Sequence, residues 1–171
     1  MWKAERGSRY CIQEPERWPE VIALPVAPFR LRLPHFERVA KRLVALGFRE
    51  LGTRVEITPV GGIPSRVFFH PELGTYAEIY SFLLVPRISF LTPLSDGRML
   101  YSGRAGRGMT YARLLTNEIP THHPERGWAR HRERLQSLDQ QGTRPSAKGT
   151  LEERLALTRA WYRNYSQGGG R

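Results

Sequence analysis

The chain of 171 residues contains a single cysteine, Cys11. One thiol cannot form an internal disulfide, so a reducing compartment is the better expectation, and we predict a cytoplasmic protein. Long apolar runs are missing too, since no stretch approaches the roughly 20 apolar residues of a membrane-spanning helix. The most apolar early segment, Val21–Phe29, is short and broken by two prolines. We therefore expect no transmembrane segment.

Negative charge is scarce, with 16 acidic against 27 basic residues and a formal charge of +11. Lysine is scarcer still, because only Lys3, Lys41 and Lys148 are present and the other basic residues are arginines. A basic surface attracts phosphate polyanions and anionic membranes, and arginine adds bidentate phosphate contacts. A bias of genomic base composition explains arginine in place of lysine, but it does not explain the excess of positive charge.

Clusters of metal ligands are also absent from the sequence. A zinc site needs three or four convergent ligands, usually with cysteine or closely spaced histidines. His122 and His123 are adjacent, so their side chains diverge, and His131 falls on the apolar side of its helix beside Trp128 and Leu135. We predict ordinary packed or surface histidines, no metal and no cofactor.

What the chain does have is a dense β-forming segment, Ser65–Ser102, rich in Phe, Tyr, Ile, Leu and Val. Turn-forming residues divide it at Pro71–Gly74 and Pro93–Gly97. Connections this short favour sequential antiparallel pairing. We predict an antiparallel meander, extended by a strand at Arg49–Pro59, in a sheet of four to six strands.

The clearest helical pattern runs from Pro34 to Leu46, with proline at the start, Gly47 after the end and one apolar stripe. This amphipathic helix is expected to pack on the sheet, preceded by an extended segment that ends at Leu33. Trp128–Gln140 and Thr150–Tyr165 are predicted as C-terminal helices. The fold class is therefore α+β: a domain over residues 1–140 with an extended N-terminal arm, then a linker and helix over 141–171, docked or partner-binding.

The loop from Ser102 to Gly108 is the first candidate for anion binding, because its glycines free backbone amides and two arginines, Arg104 and Arg107, lie within it. It matches no nucleotide-binding motif, and a solvated hairpin exit is the competing interpretation. The candidate contacts to an anion or to nucleic acid are all arginines of this region and of the following helix: Arg104, Arg107, Arg113, Arg130 and Arg134.

Acid–base catalysis needs positioned carboxylates or histidines. Glu78 lies mid-strand among aromatic residues, so it is either buried, with a raised pKa or an arginine partner such as Arg87, or a solvated side chain. We expect the solvated arrangement. His70 is the other candidate, and no catalytic residue is assigned.

The last helix places Trp161 and Tyr165 among arginines, which is typical both of nucleic-acid contact surfaces and of a helix with a buried aromatic stripe. Phe29, in the apolar arm, is a further candidate for partner contact.

Three features of the middle third share an order along the chain: Leu46-Gly47-Phe48 at a helix end, a His-Pro-x-x-Gly-x-Tyr turn from His70 to Tyr76, and a hairpin at Asp96-Gly97. This arrangement resembles a pattern found in uncharacterised bacterial α+β proteins. The resemblance implies a fold and carries no activity, partner or site residue.

Three functional hypotheses remain. The first is a non-enzymatic basic binding or accessory module that engages an anionic partner, nucleic acid being the first candidate. The second is an accessory subunit of a larger protein or membrane-associated assembly, in which the apolar arm and last helix contact partners. The third is a small enzyme of unknown reaction, which a ligand-sized pocket near Glu78 would favour.

Overall fold

The computed structural model describes residues 20–25, 28–58, 61–82, 84–104 and 113–168. These residues form one seven-stranded sheet, three α-helices and a 3-10 turn. The strands are β1 Glu20–Leu24, β2 Arg49–Thr58, β3 Gly61–His70, β4 Thr75–Phe82, β5 Val85–Pro93, β6 Met99–Gly103 and β7 Leu114–Glu118. The 3-10 turn spans Phe29–Arg32, and the helices are α1 Pro34–Ala45, α2 Pro124–Asp139 and α3 Leu151–Gly168.

The seven strands lie in the sheet in chain order. Neighbours from β1 to β6 are antiparallel, whereas β7 is parallel to β6. Gly74 and Gly97 adopt positive φ at two of the tight turns, which glycine does without steric cost. The predicted α+β class and antiparallel meander are confirmed, while the parallel edge strand and the seventh strand were not predicted.

Helices α1 and α2 pack side by side on one face of the sheet. Phe36 and Leu43 of α1 and Trp128 of α2 are buried there against the strands. Trp128 makes ring contacts with Phe48 and Phe90, whose centroids lie 4.8 and 5.4 Å away. Aromatic packing of this kind adds to the stabilisation from the buried area itself.

Helix α3 packs on the opposite face, near β1 and β2. Gly149 precedes it with φ of +78°, and a Cβ there would lie 2.3 Å from the Phe69 ring, so no other residue fits without a shift. The Thr150 hydroxyl accepts a hydrogen bond from the Glu153 amide at 3.1 Å. The Glu153 carboxylate accepts in turn from the amides of Lys148 and Gly149, so Thr150 and Glu153 together bind three backbone amides at the start of α3.

Several boundaries differ from those predicted. The extended segment before Pro34 contains a 3-10 turn, Phe29–Arg32, and the strand lies earlier, at Glu20–Leu24. Helix α2 begins at Pro124, because proline is well suited to the first helical position. Between the two predicted turns, a further tight turn at Leu84 separates β4 from β5; Leu84 has φ of +63°, and no turn motif in the sequence indicates it.

Candidate anion-binding surface

The described arginines fall into two groups according to whether an acidic partner is in reach. Arg42, Arg54, Arg66, Arg98, Arg144 and Arg154 each form an ion pair. Together they engage seven carboxylates: Glu37, Glu50, Glu56, Glu78, Asp96, Glu125 and Asp139. Most of the acidic side chains in the described part of the chain therefore neutralise specific arginines.

The most deeply buried of these pairs form an ionic centre of Arg54, Glu78 and Arg154, between the sheet and α3. The Arg54 guanidinium donates from Nε and Nη2 to the two Glu78 oxygens at 2.8 and 2.7 Å. Arg154 Nε lies 3.0 Å from Glu78 Oε1, without the alignment of a hydrogen bond. An Arg154 Nη donates to Thr158 one turn further along α3. Glu78 is therefore an anchor for α3.

Burial alone would raise the pKa of Glu78, but Arg154 and Arg54 together hold that pKa below its ordinary value. The side chain is 5% exposed and stays ionised. The expectation of a solvated Glu78 was wrong, and the arginine partners differ from the Arg87 considered. A substrate cannot reach a carboxylate that is bound by two guanidinium groups beneath a helix, so proton exchange between them is blocked.

The ion pairs leave the outer side of α1 and α2 strongly basic. Six exposed basic residues on these helices have no acidic partner within the described structure, and we call them the basic helix surface: Arg38, Lys41, Arg126, Arg130, Arg132 and Arg134. Three acidic residues of the same helices, Glu37, Glu125 and Asp139, are bound to arginines. Glu133 is the one acidic residue of α1 and α2 without such a partner.

Three members of this surface form a regular row. Arg126, Arg130 and Arg134 are four residues apart, so they follow one flank of α2 at steps of about 6 Å along the helix axis. The Asn117 amide of β7 donates to the Arg130 carbonyl at 3.3 Å, which sets this flank beside the edge strand of the sheet. The row is thus open to solvent and adjacent to the sheet edge.

The residues predicted as anion contacts do not converge on one point. Arg130 and Arg134 lie in this row. Arg113 precedes β7, whereas Arg104 follows β6; because β6 and β7 are parallel, these two are separated by roughly 20 Å along the strands. Burial raises the pKa of Tyr80, and Arg87 and Arg104 oppose that rise, so Arg104 lies near Tyr80.

Some predicted residues lie outside the described part of the chain. Arg107 is one of them, and the side chains of Phe29, Trp161 and Tyr165 are not described. Arg126 was missed, although its spacing to Arg130 is readable from the sequence. Arg54 and Arg154 were missed as partners of Glu78 because they come from distant elements and no local pattern joins them.

A cleft of about 660 Å³ lies between the β3–β4 turn, the end of α2 and the segment before α3. Its volume is that of a small-molecule site. Two arginines, Arg132 and Arg144, and two acidic residues, Glu72 and Asp139, line it, so its charges balance. His70 also lines it, and burial lowers the pKa of this histidine, so the ring is neutral at pH 7.

His131 is fully buried on α2 and is held by hydroxyl groups. Its Nε2 lies 2.8 Å from Thr92 Oγ1 and its Nδ1 lies 2.7 Å from Ser102 Oγ. Burial lowers its pKa to about 3. The pair Ser102–His131 has the spacing of a nucleophile and base, but both side chains are buried, so a substrate has no access. The prediction of a packed histidine is confirmed.

In the described ranges no three His, Cys, Asp or Glu side chains converge on a point where a metal ion could bind. Nor do the described helices include one of sufficient length and apolar character to span a bilayer. The chain matches no family model, no curated protein and no solved structure.

Proposed function

We propose that this protein is a non-enzymatic binding module that engages a polyanion, with nucleic acid as the first candidate, through the basic helix surface. The single observation that supports this function most is the imbalance on α1 and α2. Within the described structure, five exposed basic residues outside the cleft and Arg132 in it have no acidic partner, against one such acidic residue, Glu133. A composition bias alone would leave acidic and basic groups mixed over the surface.

The row Arg126, Arg130 and Arg134 supplies the geometry. A guanidinium group donates in a planar fork that matches phosphate oxygens, and three of them on one flank offer contacts to successive groups of a polyanion. Nucleic acids of any base sequence would be bound, because contacts to the phosphate backbone do not distinguish one base from another. Binding of this kind falls steeply with added salt, since each neutralised phosphate releases counterions.

The test is titration of fluorescently labelled single-stranded RNA, single-stranded DNA and duplex DNA by anisotropy at several salt concentrations. We expect the triple variant Arg126→Gln, Arg130→Gln, Arg134→Gln to weaken binding at least tenfold. Its log–log salt slope should be shallower than that of the unchanged protein by about 2 to 3, as three lost phosphate contacts predict.

The matched control is the double variant Arg104→Gln, Arg113→Gln, which removes exposed arginines that lie apart from the row and from each other. It should bind within about twofold of the unchanged protein. Absence of binding to all three nucleic acids at low salt would overturn the proposal, and so would equal weakening by the control and the triple variant.

A further inference from the structure

A second surface, made of aliphatic side chains, lies at one end of the sheet. The β2–β3 and β4–β5 hairpins turn there side by side, because Ser65 pairs with Tyr80 and both strand pairs continue beyond that point. Four aliphatic residues are exposed at these turns, and we call them the hairpin tip: Ile57, Ile63, Leu84 and Val85, with 41, 41, 61 and 42% of their surface accessible. Val44, on α1, is the one other large apolar residue exposed to this extent in the described ranges.

Leu84 is the most exposed of the four, and its backbone conformation is unfavourable for a leucine. Its φ of +63° is unique among the described non-glycine residues, and a leucine in this region costs roughly 1–2 kcal/mol. The His35 ring donates from Nε2 to the Leu84 carbonyl at 2.9 Å and holds the turn. Asparagine or glycine would suit this turn better, so neither the turn nor the core accounts for a leucine here.

The hairpin tip is not a flat patch. Ile57 pairs with Gly62 and Ile63 pairs with Glu56, so the two isoleucines point to opposite faces of the sheet. A folded partner would have to wrap around the end of the sheet to cover both. A fluid apolar phase covers both as soon as the end of the sheet enters it.

Three arginines lie near this end of the sheet. Arg159 donates to the Val21 carbonyl at 2.8 Å, and Val21 pairs with Glu56 beside Ile57. Arg87 follows Val85 by two residues, and Arg32 precedes His35 by three. None of the three has an acidic partner within the described structure, whereas the nearby Glu56 is bound to Arg54. Exposed aliphatic groups with arginines close by fit the interface of an anionic bilayer.

We propose that the hairpin tip inserts into the headgroup region of an anionic lipid bilayer while the nearby arginines contact the lipid phosphates. This surface shares no residue with the basic helix surface, so the proposal stands independently of the proposed function.

The test is co-sedimentation with vesicles of phosphatidylcholine alone and of phosphatidylcholine mixed with phosphatidylserine. We expect binding to the mixed vesicles only. The double variant Leu84→Asn, Val85→Thr removes apolar surface without changing charge, and asparagine tolerates the positive φ, so the fold is retained. It should reduce partitioning onto the mixed vesicles about tenfold, as expected when two aliphatic side chains no longer insert.

The matched control is Val44→Thr, which changes an equally exposed aliphatic residue at the other end of α1 and should leave partitioning unchanged. Unchanged partitioning of the double variant would overturn insertion and show attachment by charge alone. Equal binding to both vesicle types would overturn the requirement for anionic lipid. No binding to either would overturn the proposal and leave the tip as a contact surface for a protein.

Discussion

Arginine has opposite roles in the ionic centre beneath α3 and on the basic helix surface. Under α3, Arg54 and Arg154 share Glu78 and are 6 and 2% exposed, so their charges hold the helix to the sheet. On α1 and α2, six basic side chains are exposed and have no acidic partner within the described part of the chain. The difference lies in where the carboxylates are placed, because seven of them are bound to arginines that stabilise the fold. The side chains of α1 and α2 that have no partner within the described structure are consequently almost all basic.

This comparison also shows what a buried ion pair contributes. Bringing three charged groups out of water is costly, and their attraction offsets that cost only while all partners are present. The ionic centre is therefore sensitive to removal of any single member. The basic helix surface has no such interdependence, since each side chain is hydrated separately.

The largest effect is expected for Glu78→Gln, which removes the carboxylate shared by two buried guanidinium groups. We expect a loss of about 3–5 kcal/mol in the free energy of unfolding, measured by urea denaturation. The control is Glu133→Gln, a change at an exposed carboxylate of α2 that should stay within about 0.5 kcal/mol. A loss below about 1 kcal/mol for Glu78→Gln would mean that water reaches the centre and that the two regions do not differ as described.

Glu78 also marks the limit of what the sequence predicts. The turns at Gly74 and Gly97 depend on local backbone preferences, so the antiparallel meander is readable from the chain. Glu78 lies in β4, where both faces of the strand carry a mixture of polar and apolar residues. Its partner Arg154 is separated from it by most of the C-terminal half of the chain. Only the packing of α3 decides which face is buried.

The same limit applies to the candidate surface. Arg126 precedes the helix start predicted at Trp128, but the placement of Arg130 and Arg134 on one flank follows from helical spacing alone. Which arginines are free does not, because Arg42 meets Glu125 across two helices that are distant in the chain. The parallel pairing of β7 with β6 is likewise non-local, since short strands carry no mark of their neighbour's direction.

An intermediate effect on the free energy of unfolding is expected from His131, a buried ionisable group whose charge state differs between the folded and unfolded protein. Its pKa is about 3 in the folded protein against about 6.5 in the unfolded chain, so between these values only the unfolded state binds the proton. Its contribution to stability is complete above pH 6.5 and is lost as the pH falls towards 3. Between pH 7 and pH 5 the loss should be about 2 kcal/mol.

Urea denaturation at pH 7, 6 and 5 checks this expectation. The variant His131→Gln keeps a donor and an acceptor but does not titrate. Between pH 7 and pH 5 its free energy of unfolding should therefore fall by about 2 kcal/mol less than that of the unchanged protein. His70, whose pKa is also lowered by burial, accounts for part of the remaining slope. An unchanged slope in His131→Gln would show that this histidine is not buried in its neutral form.

The smallest effect on stability is expected for the triple variant Arg126→Gln, Arg130→Gln, Arg134→Gln. Glutamine has nearly the same helix propensity as arginine, and these exposed side chains form no ion pair with any described residue. The free energy of unfolding should therefore change by less than about 1 kcal/mol in total. Relief of repulsion among three like charges should, if anything, raise it, and low salt should enlarge that gain. Urea denaturation at two salt concentrations measures both. A loss comparable to that of Glu78→Gln would mean that the row supports the fold. Its three arginines would then have a structural role and could not be separated from those of the ionic centre.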